Sequence, residues 1–359
     1  MTMPVVKGAS YILAHTPDMV LPYGTTCFLE NESNPDSEFL KKVPKHLRTY
    51  EEVVKYGPNQ TYIGNILPDE LGKLEKPWHE NLLGDASAEG KMGEIVSEDE
   101  FYLVMKLSDA FDLVMLEKEF TEKTRTKMKD KPYYTESEIS GIKDGYEYED
   151  IEKNISSGAE ALYFNDKIVG CVRSAHGRDK NLDAHVMVEN IVSKASGVIA
   201  LKNLIYKNDI DPASIEYVIE CSEEACGDMN QRGGGNFAKA IAEVAGAVNA
   251  TGSDTRGFCA APVHALINAA AMVQSKTYKS VAVVAGGSTA KLGMNSKDHV
   301  NKGLPILEDC VAGFAILVTE NDGVNPVLRT DIVGRHTVGT GSSPQAVMES
   351  IITHPLDKM

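Results

Sequence analysis

Short apolar runs alternate with helix-forming runs between residues 217 and 319, and this alternation constrains the fold more than any other feature of the sequence. The runs YVIEC, SVAVVAG and VAGFAILVT are typical of buried strands, and residues between them favour helices. Strands that alternate with helices form sheets covered by helical layers. The sequence therefore predicts a layered α/β fold with a mixed sheet.

Three stretches outside this region also carry clear patterns. Residues 97–129 are rich in helix formers without a breaker, and predict one long amphipathic helix. Asn165-Asp166 lies between two apolar runs and predicts a hairpin turn. Residues 328–333 predict a further strand, and residues 344–353 predict the helix that follows it.

The chain is strongly acidic, with 36 Lys and Arg against 52 Asp and Glu and a formal charge of -16 over 359 residues. Such a surface repels phosphate backbones and anionic lipids, which disfavours nucleic acid and membrane partners. No apolar run approaches the length of a spanning helix, and the first residues lack the pattern of a secretion signal. The sequence predicts a cytoplasmic protein.

The six cysteines are scattered along the chain without a disulfide framework, so in a reducing compartment we expect them to be thiols. Only Cys221 and Cys226 lie close together, and no second Cys or His pair follows at the spacing of a zinc site. Buried, inert thiols are the expectation for most of them, and no metal is predicted.

Cys259 has the most distinctive position, in the segment TRGFCAAPVHALINAAAMVQ. Pro262 fits only the first turn of a helix, so a helix begins near Cys259. The residues that follow are apolar almost all round, which predicts a fully buried central helix. Unpaired amides at a helix start favour negative charge, which makes Cys259 a candidate thiolate nucleophile. An inert cysteine that fills a tight turn is the alternative, and position alone does not decide between them.

The order of these elements resembles the N-terminal half of the thiolase-like fold of β-ketoacyl synthase III. The matching elements are the strand YVIEC, the segment CAAP, the strand VAVVAGGS and the run EDCVAGFAIL. The resemblance places the family's nucleophile on Cys259, with Ala261 where the family usually has glycine. The family's acid turn falls on Glu308, Asp309 and Gly313, with Cys310 in place of a usual glycine.

The resemblance also divides the chain into regions. They are a first strand region at 1–30, a loop and helical insertion at 31–150, the thiolase-like N-terminal half with the nucleophile helix at 151–330, and the start of a truncated second half at 331–359. Thiolase-like enzymes take the His and Asn partners of the nucleophile from the second half, so no base partner of Cys259 is assigned. We expect that the chain is a truncated product or that another subunit completes it.

With the opening PVVKGASYILAHTPDMV, the whole sequence is most similar to the β subunits of component C in glycine/sarcosine/betaine reductase complexes. That family implies that selenoprotein component A delivers a two-carbon unit, which component C holds as an acetyl thioester until phosphate releases it as acetyl phosphate. The resemblance therefore implies an acyl-transferring subunit with no bound cofactor, phosphate as co-substrate, and the α subunit of component C as partner in a dimer or heteromer. A cysteine suits both steps, because phosphate attacks thioesters and thiolates leave readily.

Further residues are predicted to line the substrate site. His264 and Asn268 lie one turn apart on the predicted buried helix, where they either form a polar pair in the core or line the thiol pocket. Cys226 and Asn230 follow a strand, at the edge where such sheets place ligands. The glycine-rich run at 232–235 stands too far from its strand for a dinucleotide loop.

Two other functions stay open. One is a β-ketoacyl synthase III-like condensing enzyme or acyltransferase that uses acyl-CoA or acyl carrier protein. The other is a non-catalytic scaffold subunit in which Cys259 is a relic. The sequence has no GxSxG or GxxxxGK[ST] motif, which disfavours serine hydrolase and P-loop chemistry.

Overall fold

A computed structural model of the chain describes residues 3–177, 179–223 and 236–359. In these ranges the strands are β1 (Val5–His15), β2 (Glu89–Gly90), β3 (Gly93–Val96), β4 (Val114–Leu116), β5 (Glu160–Phe164), β6 (Lys167–Val172), β7 (Tyr217–Glu220), β8 (Thr251–Asp254), β9 (Ser280–Ala285) and β10 (Cys310–Thr319).

The α-helices in the same ranges are α1 (Val20–Tyr23), α2 (Thr25–Ser33), α3 (Glu38–Lys42), α4 (Tyr50–Lys55), α5 (Gly57–Tyr62), α6 (Pro68–Leu71), α7 (Glu98–Ser108), α8 (Lys118–Met128), α9 (Glu136–Gly141), α10 (Tyr148–Ser156), α11 (Ala184–Lys207), α12 (Phe237–Val244), α13 (Ala261–Gln274), α14 (Ser296–Lys302), α15 (Pro344–Met348) and α16 (His354–Leu356). A π-helix at Glu349–Thr353 joins the last two. None of the described helices combines the length and apolarity needed to cross a bilayer.

A mixed seven-stranded sheet, in the order β2-β3-β1-β10-β9-β7-β8, organises the described chain. β10 is antiparallel to both of its neighbours, while β7 is parallel to β8 and β9. The carboxyl ends of β1, β9 and β7 therefore share one edge with the start of β10. A smaller antiparallel sheet has the order β4-β6-β5. These observations confirm the predicted α/β class with a mixed sheet.

The buried central helix is α11, and the prediction that α13 is buried on all sides is wrong. α13 covers the sheet with a stripe of small residues, but Val263 is 59% exposed and Ile267 is 38% exposed on its other side. α11 instead contacts β1, β9 and β10 on the opposite face, where Ala195 and Ile199 are fully buried. An apolar helix is buried on all sides only where other elements pack against each side, and composition alone does not show whether they do.

The strands send alternate side chains to the two helical layers. The core on the α11 side contains Val218, Ala282 and Val284. The core on the α13 side contains Ile219, Val281 and Val283. Because successive strand residues face opposite ways, these continuous apolar runs are covered on both faces.

Two other predicted elements are wrong, and one is confirmed. The predicted helix over 97–129 is broken into α7, β4 and α8, because the Asp109 carboxylate accepts hydrogen bonds from the amides of Phe111 (3.1 Å) and Val114 (2.7 Å) and closes a turn. The predicted strand at 328–333 is absent, because a short backbone pairing with the start of β1 ends where the Leu328 amide donates to the Pro4 carbonyl, at 2.8 Å, and the chain then turns. The hairpin at Asn165-Asp166 is confirmed, with φ of 51° and 62° as a tight turn requires.

A buried ion pair joins the end of β1 to the start of β10. Asp309 is fully buried and accepts hydrogen bonds from Arg48 Nε, at 2.9 Å, and from Arg48 Nη2. His15 Nε2 lies 3.7 Å from the same carboxylate. Burial by itself raises the pKa of Asp309, but His15 and Arg48 outweigh burial and hold the pKa below its ordinary value. Asp309, which the resemblance assigns to an acid turn, thus pairs with Arg48 inside the core of this structure.

Replacing Asp309 with alanine is expected to destabilise the chain by about 3–5 kcal/mol, because Arg48 is then a buried charge without its partner. Urea unfolding measures this change in the free energy of unfolding. Glu308→Ala is the matched control. Glu308 is partly exposed, accepts a hydrogen bond from Asn295 and lies 3.4 Å from His299 Nδ1, and we expect about 1 kcal/mol or less for its loss. Equal losses in the two variants would contradict this account of Asp309.

Candidate functional site

A small cavity of about 160 Å³ opens at the carboxyl edge of the seven-stranded sheet. The segment after β7, the end of β9, the start of β10 and the start of α13 form its walls, and Cys259 is among the residues that line it. Ligands of open α/β sheets bind beyond the carboxyl ends of parallel strands, and this cavity has that position.

Cys259 lies in a single 3-10 turn, Phe258–Ala260, directly before α13. The turn closes through a hydrogen bond from the Ala260 amide to the Gly257 carbonyl, at 3.2 Å, and Pro262 occupies the first turn of α13. Phe258 has a φ of 49°, a left-handed conformation that is unfavourable for a bulky residue. This strained turn leaves Cys259 exposed at the start of the helix.

Two charged residues that no sequence motif predicts lie at this site, Glu223 next to the sulfur and Lys291 next to Glu223. Cys259 Sγ donates to Glu223 Oε1 at 3.6 Å, and Lys291 Nζ lies 3.6 Å from the same oxygen. Glu223 follows β7 by three residues, and Lys291 comes from the segment after β9. The only signal for them in the sequence is their place beyond two strands that share an edge.

Buried polar groups hold the chain where it leaves β7. Glu220 is fully buried, accepts a hydrogen bond from the Ser222 amide at 2.7 Å, and pairs with Arg256. Burial raises the pKa of the Glu220 carboxyl, and Arg256 opposes that effect in part. The Ser222 hydroxyl in turn accepts the Gly286 amide at 2.8 Å. The ends of β7 and β9 are therefore hydrogen-bonded to each other at the cavity that Cys259 and Glu223 line.

Glycines at this edge allow α11 to approach the sheet. A Cβ on Gly286 would lie 1.8 Å from the Ser193 carbonyl oxygen, and a Cβ on Gly313 would lie 2.9 Å from that of Ser196. Any side chain at these positions would push α11 away from the strands. Both glycines also line the cavity.

The structure brings Cys259 to the cavity and does not bring His264 or Asn268 there. His264 and Asn268 are exposed on α13, so the expectation of a polar pair within the core is wrong, and neither residue lines the cavity. The reason is that α13 buries only its stripe of small residues against the sheet. Cys226, Asn230 and the glycine-rich run at 232–235 lie outside the described residues.

Solvent exposure separates Cys259 from the other described thiols. Cys27, Cys171 and Cys221 are buried and Cys310 is half-buried, whereas Cys259 is exposed. Burial raises the pKa of the Cys171 thiol to about 11 and that of Cys221 to about 12, and it raises the pKa of Cys27 and Cys310 as well. Thiolate is the reactive form, so these four thiols are expected to be inert at neutral pH.

Iodoacetamide at pH 7 is therefore expected to alkylate Cys259 at least about ten times faster than Cys27, Cys171, Cys221 or Cys310 in the folded chain. Peptide mass spectrometry after short exposures measures the rate at each thiol. Unfolding the chain in urea removes the differences in burial and serves as the control. Labelling of any of the four buried or half-buried thiols before Cys259 would contradict this ranking.

Comparison with known proteins adds one similar sequence and several solved structures. No family model matches the chain. A priming β-ketosynthase of a polyketide biosynthetic pathway aligns at 27% identity with a TM-score of 0.28, over 36% of this chain and 36% of that chain. An OleA variant from Xanthomonas campestris aligns at 13% identity with a TM-score of 0.30, over 38% of this chain and 42% of that chain.

The similarity in sequence is far more extensive. The curated glycine/sarcosine/betaine reductase complex component C subunit beta of Peptoclostridium acidaminophilum is 59% identical over 359 residues. The alignment covers 99% of this chain and 70% of that protein. The chain therefore belongs to the family of β subunits of component C of the glycine/sarcosine/betaine reductase complex.

Proposed function

We propose that this chain is an acyl-transferring subunit in which Cys259 holds an acetyl group as a thioester, and that phosphate releases the group as acetyl phosphate. One observation carries the proposal: the exposed sulfur of Cys259 stands at the start of a helix and lines a cavity at the carboxyl edge of the sheet. Membership in a family of reductase complex subunits supports the same role.

The size of the cavity favours a small acyl group. Sites for drug-sized ligands enclose roughly 300–1,000 Å³. The cavity at Cys259 encloses about 160 Å³, and backbone and small residues form much of its wall. A two-carbon unit suits such a space, whereas a condensing enzyme must also admit a long carrier arm.

The position of Cys259 suits both halves of the reaction. Amides at the start of α13 and the helix dipole favour negative charge at that position by about 0.3–2 kcal/mol. They would stabilise the attacking sulfur in the first step and the oxyanion that forms when phosphate attacks the thioester in the second. The sulfur attacks the acyl carbon of the donor in the first step. In the second step the carbon–sulfur bond breaks as a phosphate oxygen bonds to the carbonyl carbon.

The partners proposed for this chain follow from its family and from its surface. They are the α subunit of component C and selenoprotein component A as acyl donor, in a cytoplasmic dimer or heteromer with no bound cofactor and phosphate as co-substrate. Phe258, which precedes Cys259, and Val263, in the first turn of α13, are 73% and 59% exposed. Apolar side chains next to a reactive thiol support delivery of the acyl group by another protein.

Incubation of the full chain with acetyl phosphate is expected to place one acetyl group on Cys259, which peptide mass spectrometry after digestion detects. Cys259→Ala is expected to abolish the label, and Cys310→Ala, the matched control, is expected to retain it. A parallel incubation with acetyl-CoA tests the alternatives. Labelling from acetyl-CoA alone would support a condensing enzyme, and no labelling from either donor would support a scaffold; both results contradict the proposal.

A further inference from the structure

We propose that Glu223 takes the proton from Cys259 when the acyl group arrives and returns it when the acyl group leaves, with Lys291 beside the Glu223 carboxylate. This assignment rests on the proposed function, because it gives a second residue to the same reaction. Glu223 would then be the base partner of Cys259, which the resemblance leaves unassigned, and it belongs to this chain.

The geometry of the three side chains carries the assignment. Glu223 Oε1 accepts the thiol of Cys259 at 3.6 Å, within reach for a sulfur donor, and Lys291 Nζ lies 3.6 Å from the same oxygen. The Glu223 side chain is 29% exposed, so it contacts both the cavity and solvent. A proton taken from sulfur therefore has a path from the carboxylate to water or to the leaving group.

The other titratable groups on the cavity wall are poor proton acceptors. Among the described residues that line the cavity, Glu223 is the one carboxylate. Burial raises the pKa of Tyr62 to about 12 and that of Cys221 to about 12, so both stay protonated at neutral pH. His264, the nearest histidine in sequence, is exposed and does not line the cavity.

The charge of Glu223 argues for proton transfer and against simple stabilisation of a thiolate. A carboxylate next to a thiolate repels it, because the two charges have the same sign. The same carboxylate lowers the barrier to attack if it accepts the proton while sulfur bonds to the acyl carbon. Lys291 offsets the negative charge of Glu223 and that of an incoming phosphate.

The two steps balance. In the first, with acetyl phosphate as the donor, the bond from Cys259 Sγ to the carbonyl carbon forms, the bond from that carbon to the phosphate oxygen breaks, and the thiol proton passes to Glu223 and on to the departing phosphate. In the second, hydrogen phosphate gives its proton to Glu223 as its oxygen bonds to the carbonyl carbon. The carbon–sulfur bond breaks and Glu223 returns the proton to sulfur. The products are acetyl phosphate and the free thiol, with no oxidant or reductant required.

Glu223→Gln separates this role from a structural one, because it moves two measurable rates in opposite directions. The acetylation rate of Cys259 by acetyl phosphate at pH 7 is expected to fall about 100-fold, since the amide does not accept a proton. The rate of alkylation by iodoacetamide is expected to rise, since the negative charge that repels a reacting thiolate is gone. Glu223→Asp keeps the charge and is expected to restore part of the acetylation rate.

The control is Glu320→Gln, at the exposed far end of β10, which is expected to change neither rate. Acetylation of Glu223→Gln at the wild-type rate would overturn the assignment and leave the proposed function intact. Loss of both rates in Glu223→Gln would assign Glu223 a structural role and would also overturn it. Failure of the wild-type chain to be acetylated would overturn the proposed function, and the assignment with it.

Discussion

Close contact between α11 and the seven-stranded sheet holds the strand ends that border the candidate site. Gly286 and Gly313 let the helix backbone approach the strands to a distance that no side chain allows. The Ser196 hydroxyl then accepts the Gly287 amide at 2.9 Å, and the Ser222 hydroxyl accepts the Gly286 amide at 2.8 Å. These hydrogen bonds join α11 to the end of β9, and β9 to the end of β7. The cavity lies at this edge of the sheet.

Burial, more than any special chemistry of the sulfur, distinguishes Cys259 from the other described thiols. The packed layers around the sheet enclose Cys27, Cys171 and Cys221, and the loss of solvation raises the pKa of each. Cys259 precedes the first residue that α13 buries, so it stays in contact with water and with the carboxylate of Glu223. Among the thiols that the structure describes, Cys259 is the one that is exposed at a cavity, a position suited to covalent transfer of a small group.

The sequence supports correct predictions where the physical signal is local. Continuous apolar runs identify the strands, Pro262 marks the start of α13, and Asn165-Asp166 marks a turn that needs positive φ. It misleads where the outcome depends on distant partners. The Asp109 side chain ends a helix that its neighbours favour, and α13 lacks a cover on one side although most of its residues are apolar. Glu223 and Lys291 meet only because β7 and β9 are adjacent, which no spacing along the chain indicates.

Isotope exchange between acetyl phosphate and labelled inorganic phosphate tests the central claim most directly, because it requires an acyl group that passes reversibly between phosphate and the protein. We expect that the full chain moves label from phosphate into acetyl phosphate and that Cys259→Ala does not. Exchange that persists undiminished in Cys259→Ala, or that is absent from the wild-type chain, would contradict it.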